Sequence, residues 1–582
     1  MLKQLGEQDA SYLYLETPET PQHVGGVTFI ELPAGHDGDF FADYKQHIAS
    51  RIHLVPLLHM KLVPLPFDLD HPFWVEEENL EVDYHIRRLT LAKPGRIAQL
   101  EELVGRLHSN FLDRSRPLWE FYVIDGLEDG RIAIYSKIHH AAMDGASSQT
   151  LVTTLYDPTP AGRTMPPPPD KAAAGGKATL EEVLRGVVAH FVRQEIRAIQ
   201  FVPEALKAWA TLALPDVETL KYERAPKPAP APPKTLFNVG ITSQRAYALR
   251  TLSLSRVKRV ARQAQCKLND VVLAICAGAL RRYLAARDKL PKKAMTAMVP
   301  VASKDAAEAN HNHMYFCSLA TDIVEPYARL MAIRDSSTEQ KRLLGSIKNA
   351  LLPDLVVLGS GALRRGMVDL YSRAKLADRL PPLYNVVVSN VAGPPVPLYI
   401  AGAKVLSFHP CSIPFHGTAL NITVESYCDS LDFGLIACRR AVPDVAEIAD
   451  YLEPALAELE SAVSHEVATL AALPPAGTTA ATAPTAVPPG LTFAPSARKP
   501  AGSAKKANVE KAAKVTKAAK VTKAAKATTA AKEPDTTRAA KSAAATKAGK
   551  APEIAKPADV AAPAVAKPRP AARKPRASAG TA

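Results

Sequence analysis

At 582 residues the chain is too long for one hydrophobic core, and two or more domains are expected. Its formal net charge of +14 is unevenly spread: residues 471–582 carry 21 Lys and Arg against 5 Asp and Glu, and the first 470 residues carry 51 against 53. The overall basicity belongs to the tail and says nothing about what the near-neutral body binds, while six cysteines without a CxxC pair exclude a disulfide framework and a zinc-ribbon pattern.

The opening residues, MLKQLGEQDASYLYLETPE, contain Glu7, Asp9 and Glu16 and no apolar run, so no signal peptide is expected. No stretch of 18 apolar residues occurs, which excludes a transmembrane helix from the reading. A cytoplasmic protein with reduced thiols fits, meeting lipid only from the surface.

A first block, 1–160, starts with strand-like HVGGVTFIEL at 23–32. A helix is predicted from Phe40 to Arg51, then strand-like KLVPLPF and DYHIRRLTL. Leu100, Leu103 and Leu107 recur at helical spacing and predict a helix over Ile97–Phe111. WEFYVIDGLEDGRIAIYSKI reads as two strands around the turn signal Glu128-Asp129-Gly130. Residues 161–240 read as linker and helical crossover. Residues 180–214 predict a helix that packs on the body, or lies in a membrane surface with Arg185, Arg193 and Arg197 toward headgroups. APKPAPAPPK at 225–234 is a stiff linker.

A second block, 241–468, predicts helices at Leu254–Ala264, Asn269–Ala286 and Asp444–Val467, with Asn269 or Asp270 capping the second. Strands are predicted at AMTAMVPV, NVVVSNV, KVLSFH, LNITVESY and LDFGLIAC. Asn310-His311-Asn312-His313 reads as a polar loop rather than a metal site. The tail, 469–582, holds the repeat KAAKVT and too few large apolar residues to offset chain entropy, so disorder is predicted.

The chemistry points to residues 131–148. A strand-like run ends in His139-His140, with Asp144 and Gly145 following, giving the pattern HHxxxDG. This suits acyl transfer to an alcohol. A thioester is already an activated donor, so the enzyme needs a base rather than a nucleophile. A histidine with its pKa near the working pH takes the hydroxyl proton and returns it to the leaving thiolate. Asp144 could pair with an arginine and hold the loop, and Gly145 could supply room or an unusual backbone angle. A Ser/His/Asp triad is the weaker reading without a GxSxG-type elbow, and a metal site weaker still without a third ligand nearby.

With ETPETPQHVGG near the start, Pro117-Leu118-Trp119-Glu120, Asn269-Asp270 opening a helix, and SNVAGP at Ser389–Pro394, the chain over about 5–465 resembles the bacterial wax ester synthase/diacylglycerol acyltransferase family. That family belongs to the wider HHxxxDG acyltransferases. The resemblance implies an α/β (α+β) fold of two chloramphenicol-acetyltransferase-like lobes with the active site at their interface. It implies His140 as general base, His139 as its mostly structural neighbour, and Asp144 and Gly145 shaping the loop. Asn269 and Asp270 would face the cleft, Pro117, Leu118 and Trp119 would pack or line the acyl channel, and Ser389-Asn390 would sit at the seam. It implies no cofactor: long-chain acyl-CoA enters as co-substrate, with diacylglycerol or a long-chain alcohol as acceptor. The full DFGWG element of the acetyltransferases is absent, Asp432-Phe433-Gly434-Leu435 being a partial echo.

The tail should bind polyanions, either an anionic inner-membrane or lipid-inclusion surface, or nucleic acid. Two other functions stay open at this point: a condensation-type acyltransferase using carrier-bound donors, and a non-catalytic lipid-inclusion or nucleoid-associated protein acting through the tail.

Overall fold

A computed structural model describes residues 3–65, 71–143, 145–167, 231–301, 313–346 and 361–472. The helix predicted at 180–214 and nearly all of the tail lie outside these residues, as do Asp144 and Asn310–Asn312.

The strands are β1 (Lys3–Gln4), β2 (His23–Glu31), β3 (Met60–Val63), β4 (Phe73–Glu76), β5 (Ile86–Thr90), β6 (Trp119–Asp125), β7 (Ile132–His139), β8 (Arg245–Ser253), β9 (Thr296–Val301), β10 (His313–Ser318), β11 (Val386–Ala392), β12 (Tyr399–Ile400), β13 (Ala403–Cys411), β14 (Leu420–Tyr427) and β15 (Ser430–Cys438). The main helices are α1 (Glu7–Leu15), α2 (Phe40–Ala49), α3 (Ile97–Ser109), α4 (Gly145–Leu155), α5 (Leu254–Gln263), α6 (Leu268–Ala285), α7 (Pro326–Ser346), α8 (Gly361–Arg373), α9 (Val445–Asp450) and α10 (Leu452–Ala472). Among the described residues no helix is long and apolar enough to cross a membrane.

Two six-stranded sheets carry the fold, ordered β12-β13-β2-β7-β6-β5 and β10-β9-β11-β14-β15-β8, beside a small sheet β1-β4-β3. This is the two-lobed α/β arrangement expected. Two strands change sides: β13, from the second block, pairs antiparallel with β2 and extends the first sheet, and β12 follows it at the edge. Local pattern identifies β13 as a strand but cannot say which edge it will join.

The first sheet is buried on both faces. Phe40, Tyr44 and Ile48 recur along α2 and pack on Trp119, Phe121, Ile134 and Ile138. Asp39 caps that helix, accepting from the Phe41 N–H at 3.3 Å. On the other face Val27, Phe29 and Tyr135 meet Leu100 and Val104 of α3, and then Tyr247, Leu249 and Ile436 from the second sheet. That apolar cluster, shared by both halves, is the seam.

The partial DFGWG echo works at this seam. Asp432 is buried and accepts from Thr251 Oγ1 at 2.8 Å, Ser430 Oγ at 2.9 Å and the Phe408 N–H of β13 at 2.9 Å. It therefore ties β15 to a strand of the other sheet. Gly434 lets the two backbones touch: a Cβ there would lie 1.6 Å from the Pro410 carbonyl oxygen. Since the obstacle is backbone, Gly434→Ala should destabilise the protein at the upper end of the ~1–3 kcal/mol typical of overpacking. A urea titration checks this; an unchanged midpoint would contradict the close approach.

Candidate active site

The end of β7 is held on both sides. His139 sits across from His23 of β2, and β6 flanks the other edge. The His139 N–H donates to the Leu118 carbonyl at 2.9 Å and the His140 N–H to the Gln22 carbonyl at 2.8 Å. A single 3-10 turn, His140–Ala142, follows, and Gly145 begins α4.

The two histidines have different surroundings. His139 is fully buried. The Ala141 N–H donates to its Nδ1 at 3.1 Å, which makes Nδ1 an acceptor and leaves the proton of the neutral ring on Nε2. Nε2 lies 3.4 Å from Glu16 Oε1. The same carboxylate accepts from the Gln22 N–H at 3.0 Å and from Arg114 Nε and Nη2 at 3.0 and 2.5 Å. Burial raises the Glu16 carboxyl, but His139, Arg114 and the Gln22 amide together outweigh it and hold the group at about 2.

His140 is half-buried, its Nδ1 is shut away from solvent, and its ring stacks on Tyr12 of α1, centroids 3.9 Å apart at 15°. Burial pushes its imidazole down to about 4, opposed by its own carbonyl and reinforced by His139. This is lower than the near-neutral value expected from the motif, and the cause is desolvation of the charged ring. At pH 7 the ring is neutral and able to accept a proton.

The PLW residues lie in the packing. Trp119 is fully buried, donates Nε1–H to the Leu58 carbonyl at 2.9 Å and stacks on His85. Leu118 packs with Leu13 and Tyr14 of α1 and with Ala141, and Pro117 is buried beside it. Glu120 pairs with buried Lys137 at 2.9 Å.

In the second lobe, Asn390 Nδ2 donates to Asn269 Oδ1 at 3.3 Å, and Asn269 Nδ2 donates to Tyr315 Oη at 3.2 Å. The start of α6 and the end of β11 are thus brought together. Ser389 pairs in register with Thr423 and lies on the opposite face of β11 from Asn390, because strand side chains alternate. The α6 cap differs from the expectation. Lys267 is the N-cap, and Asp270 reaches back from the first turn to accept the Lys267 N–H at 3.0 Å. Asn269 is already inside the helix, so neither residue is the cap. These second-lobe hydrogen bonds stay within their own lobe.

Glu16, Tyr12 and Arg114 carry no signal by residue type. Glu16 does stand in ETPETPQHVGG, one of the segments on which the resemblance rests.

Residues 5–272 match the wax ester synthase/diacylglycerol acyltransferase catalytic domain, and 309–460 the C-terminal domain of the same family. A "probable diacylglycerol O-acyltransferase" of Mycobacterium tuberculosis is 36% identical over 78% of this chain and 98% of its own. The O-acyltransferase WSD of Acinetobacter baylyi is 31% identical over 79% of this chain and 97% of its own. The solved wax ester synthase/diacylglycerol acyltransferase from Marinobacter aquaeolei is 31% identical, covers 79% of this chain and 100% of its own, and superposes with a TM-score of 0.59. Matched in both domains and over nearly the whole length of these relatives, the chain belongs to the wax ester synthase/diacylglycerol acyltransferase family and is an acyltransferase.

Proposed function

We propose that the enzyme transfers a long-chain acyl group from acyl-CoA to the hydroxyl of diacylglycerol, a long-chain alcohol, or both, with His140 as general base. The observation that carries this reading is a neutral, half-buried imidazole held by its backbone at the end of β7. As the acceptor oxygen attacks the thioester carbonyl, its proton passes to His140 and the C–O bond forms. The C–S bond then breaks, and the imidazolium returns the proton to the CoA thiolate. No acyl-enzyme is required. His139 positions the turn through Glu16, and Asp144 and Gly145 shape the loop. The N-terminus of α6, at Asn269, suits a developing oxyanion.

Purified full-length protein should release free CoA from palmitoyl-CoA when diacylglycerol or hexadecanol is supplied. Release with neither acceptor above the acceptor-free rate would overturn the proposal. We assign the tail a separate task, holding the enzyme at an anionic inner-membrane or lipid-inclusion surface, supported by its 21 basic residues against 5 acidic. A chain ending at residue 468 should lose binding to phosphatidylserine vesicles at low salt and keep its turnover of soluble substrates. Unchanged vesicle binding, or loss of DNA binding alone, would refute that task.

A further inference from the structure

The two histidines of the motif are held in different ways. His139 is pinned at both ring nitrogens, by the Ala141 N–H at 3.1 Å and by Glu16 at 3.4 Å. The His140 imidazole lacks such pins. Its Nδ1 is shut away from solvent and has no hydrogen-bond partner among the described residues. The bond from its backbone N–H to the Gln22 carbonyl fixes where the residue sits, not how the ring is turned. A general base must present its lone pair within about 10–20° of the productive direction, so the plane of the ring has to be set by something else.

The Tyr12 ring meets that need. It lies on the His140 ring with centroids 3.9 Å apart and planes 15° from parallel. A stack this close covers a face of the imidazole. It leaves the edge free, because the lone pair and the N–H bond of the neutral ring lie in the ring plane. With Nδ1 enclosed, Nε2 is the nitrogen left for an acceptor hydroxyl.

Tyr12 can act as a template because α1 is itself clamped. Leu13 and Tyr14 pack with Leu118 and Ala141. Glu16, just past the end of the helix, accepts from the Gln22 N–H at 3.0 Å and pairs with Arg114. Two residues along a helix is about 200° of rotation, so Tyr14 points away from the side that carries Tyr12. Its Oη lies 3.0 Å from His71 Nδ1, and Arg365 of α8 sits over its ring at 5.5 Å. One side of α1 is thereby anchored in the body while the other meets the base.

We propose that Tyr12 is a positioning residue for acyl transfer: its ring, carried by α1, holds the His140 imidazole in the plane that turns Nε2 toward the acceptor hydroxyl. The proposal rests on the reading of His140 as general base. The titratable groups around the ring are His139 beside it on β7, and on α1 Tyr12 itself, with Asp9 and Glu16 three residues before and four after it. Of these, His139 acts on the imidazole by charge, and burial acts more strongly.

CoA release from palmitoyl-CoA with diacylglycerol or hexadecanol, measured on the full-length protein, tests the assignment. Tyr12→Ala should lower kcat by about 10- to 100-fold, the scale of a misplaced reacting group, with KM changed less than about two-fold. Its acidic limb should move up from about 4 toward 6.5, because the uncovered ring is rehydrated. Tyr12→Phe, which keeps the flat face, should restore kcat to within about three-fold of the wild type. Tyr12→Leu, apolar but without a flat face, should repeat the kcat loss, and it decides the matter if the alanine variant does not fold. Added to His140→Ala, Tyr12→Ala should cost nothing more, since a residue that acts through the base has no effect once the base is gone. Wild-type kcat in both Tyr12→Ala and Tyr12→Leu, a phenylalanine variant as slow as the alanine one, an unmoved acidic limb, or a further ten-fold loss in the double variant would each overturn the proposal. Those results with His140→Ala still inactive would reject the role of Tyr12 alone, whereas full activity in His140→Ala would reject the base reading and this proposal with it.

Discussion

His140→Ala should lower CoA release by about 10²–10⁴-fold, the range over which a positioned general base contributes. The loss should appear in kcat more than in KM, because the imidazole acts on a proton in flight rather than on the bound chain. The fold should survive. His140 is half-buried and its main contact is the stack on Tyr12, so far-UV circular dichroism should not change. Full activity in this variant would refute the base assignment. The wild type carries a second signature. With the imidazole held at about 4 by burial, the base is already free across the neutral range. The acidic limb of kcat/KM should therefore fall near pH 4 rather than near 6.5. The sign is fixed: only the neutral ring accepts a proton, so activity declines as pH falls through that value. A limb centred near 6.5 would mean that His140 is solvated, or that another group is the base.

Glu16→Gln should give a large loss of stability. The carboxylate is buried between His139 and Arg114, and removing one member of a buried pair typically costs about 3–5 kcal/mol. Arg114 is 43% exposed, which allows it to rehydrate and places the expectation at the lower end. The folded carboxyl at about 2, against an ordinary value of 4.5, leads independently to a contribution on the order of 3 kcal/mol. Because the folded value is depressed, the contribution is fully present above pH 4.5 and is lost as pH falls toward 2. Urea unfolding at pH 7 and at pH 3 should show the wild type losing more stability on acidification than the glutamine variant. Parallel behaviour would remove Glu16 from the account. His139→Ala should be milder than His140→Ala in activity, since His139 is fully buried against Glu16 and a backbone amide, whereas His140 is only half-buried.

Most strands were legible as short runs rich in β-branched and apolar residues between turn signals, as in Ile132–His139 and Leu420–Tyr427, both buried over most of their length. Boundaries shifted where local chemistry intervened. DYHIRRLTL divides into a helical turn, Val82–His85, and the strand Ile86–Thr90. α1 carries little sequence signal: its buried positions, Ala10, Ser11, Leu13 and Tyr14, include small and polar side chains, so no apolar stripe stands out. α4, GASSQTLVTTL, has five Ser and Thr among its eleven residues, which favour other states until tertiary packing decides. The histidine pair was visible as a motif, but the division of labour between its two rings was not visible in residue types. It depends on Glu16, which lies 123 positions earlier in the chain and is placed by tertiary folding. Adjacent Ser389 and Asn390 looked like one site element, and the pleat sends them to opposite sides of the strand.

The migration of β13 into the first sheet binds the assembly history of the two halves together. On the ribosome the amino-terminal sheet cannot be finished until residue 411 has emerged, some 270 residues after β7 has been made. During that interval β2 presents the apolar ribbon HVGGVTFIE as an open edge, the kind of template that recruits neighbouring chains. Cutting the gene between its two family domains would therefore produce an aggregating amino-terminal fragment and a carboxy-terminal fragment with an orphaned strand.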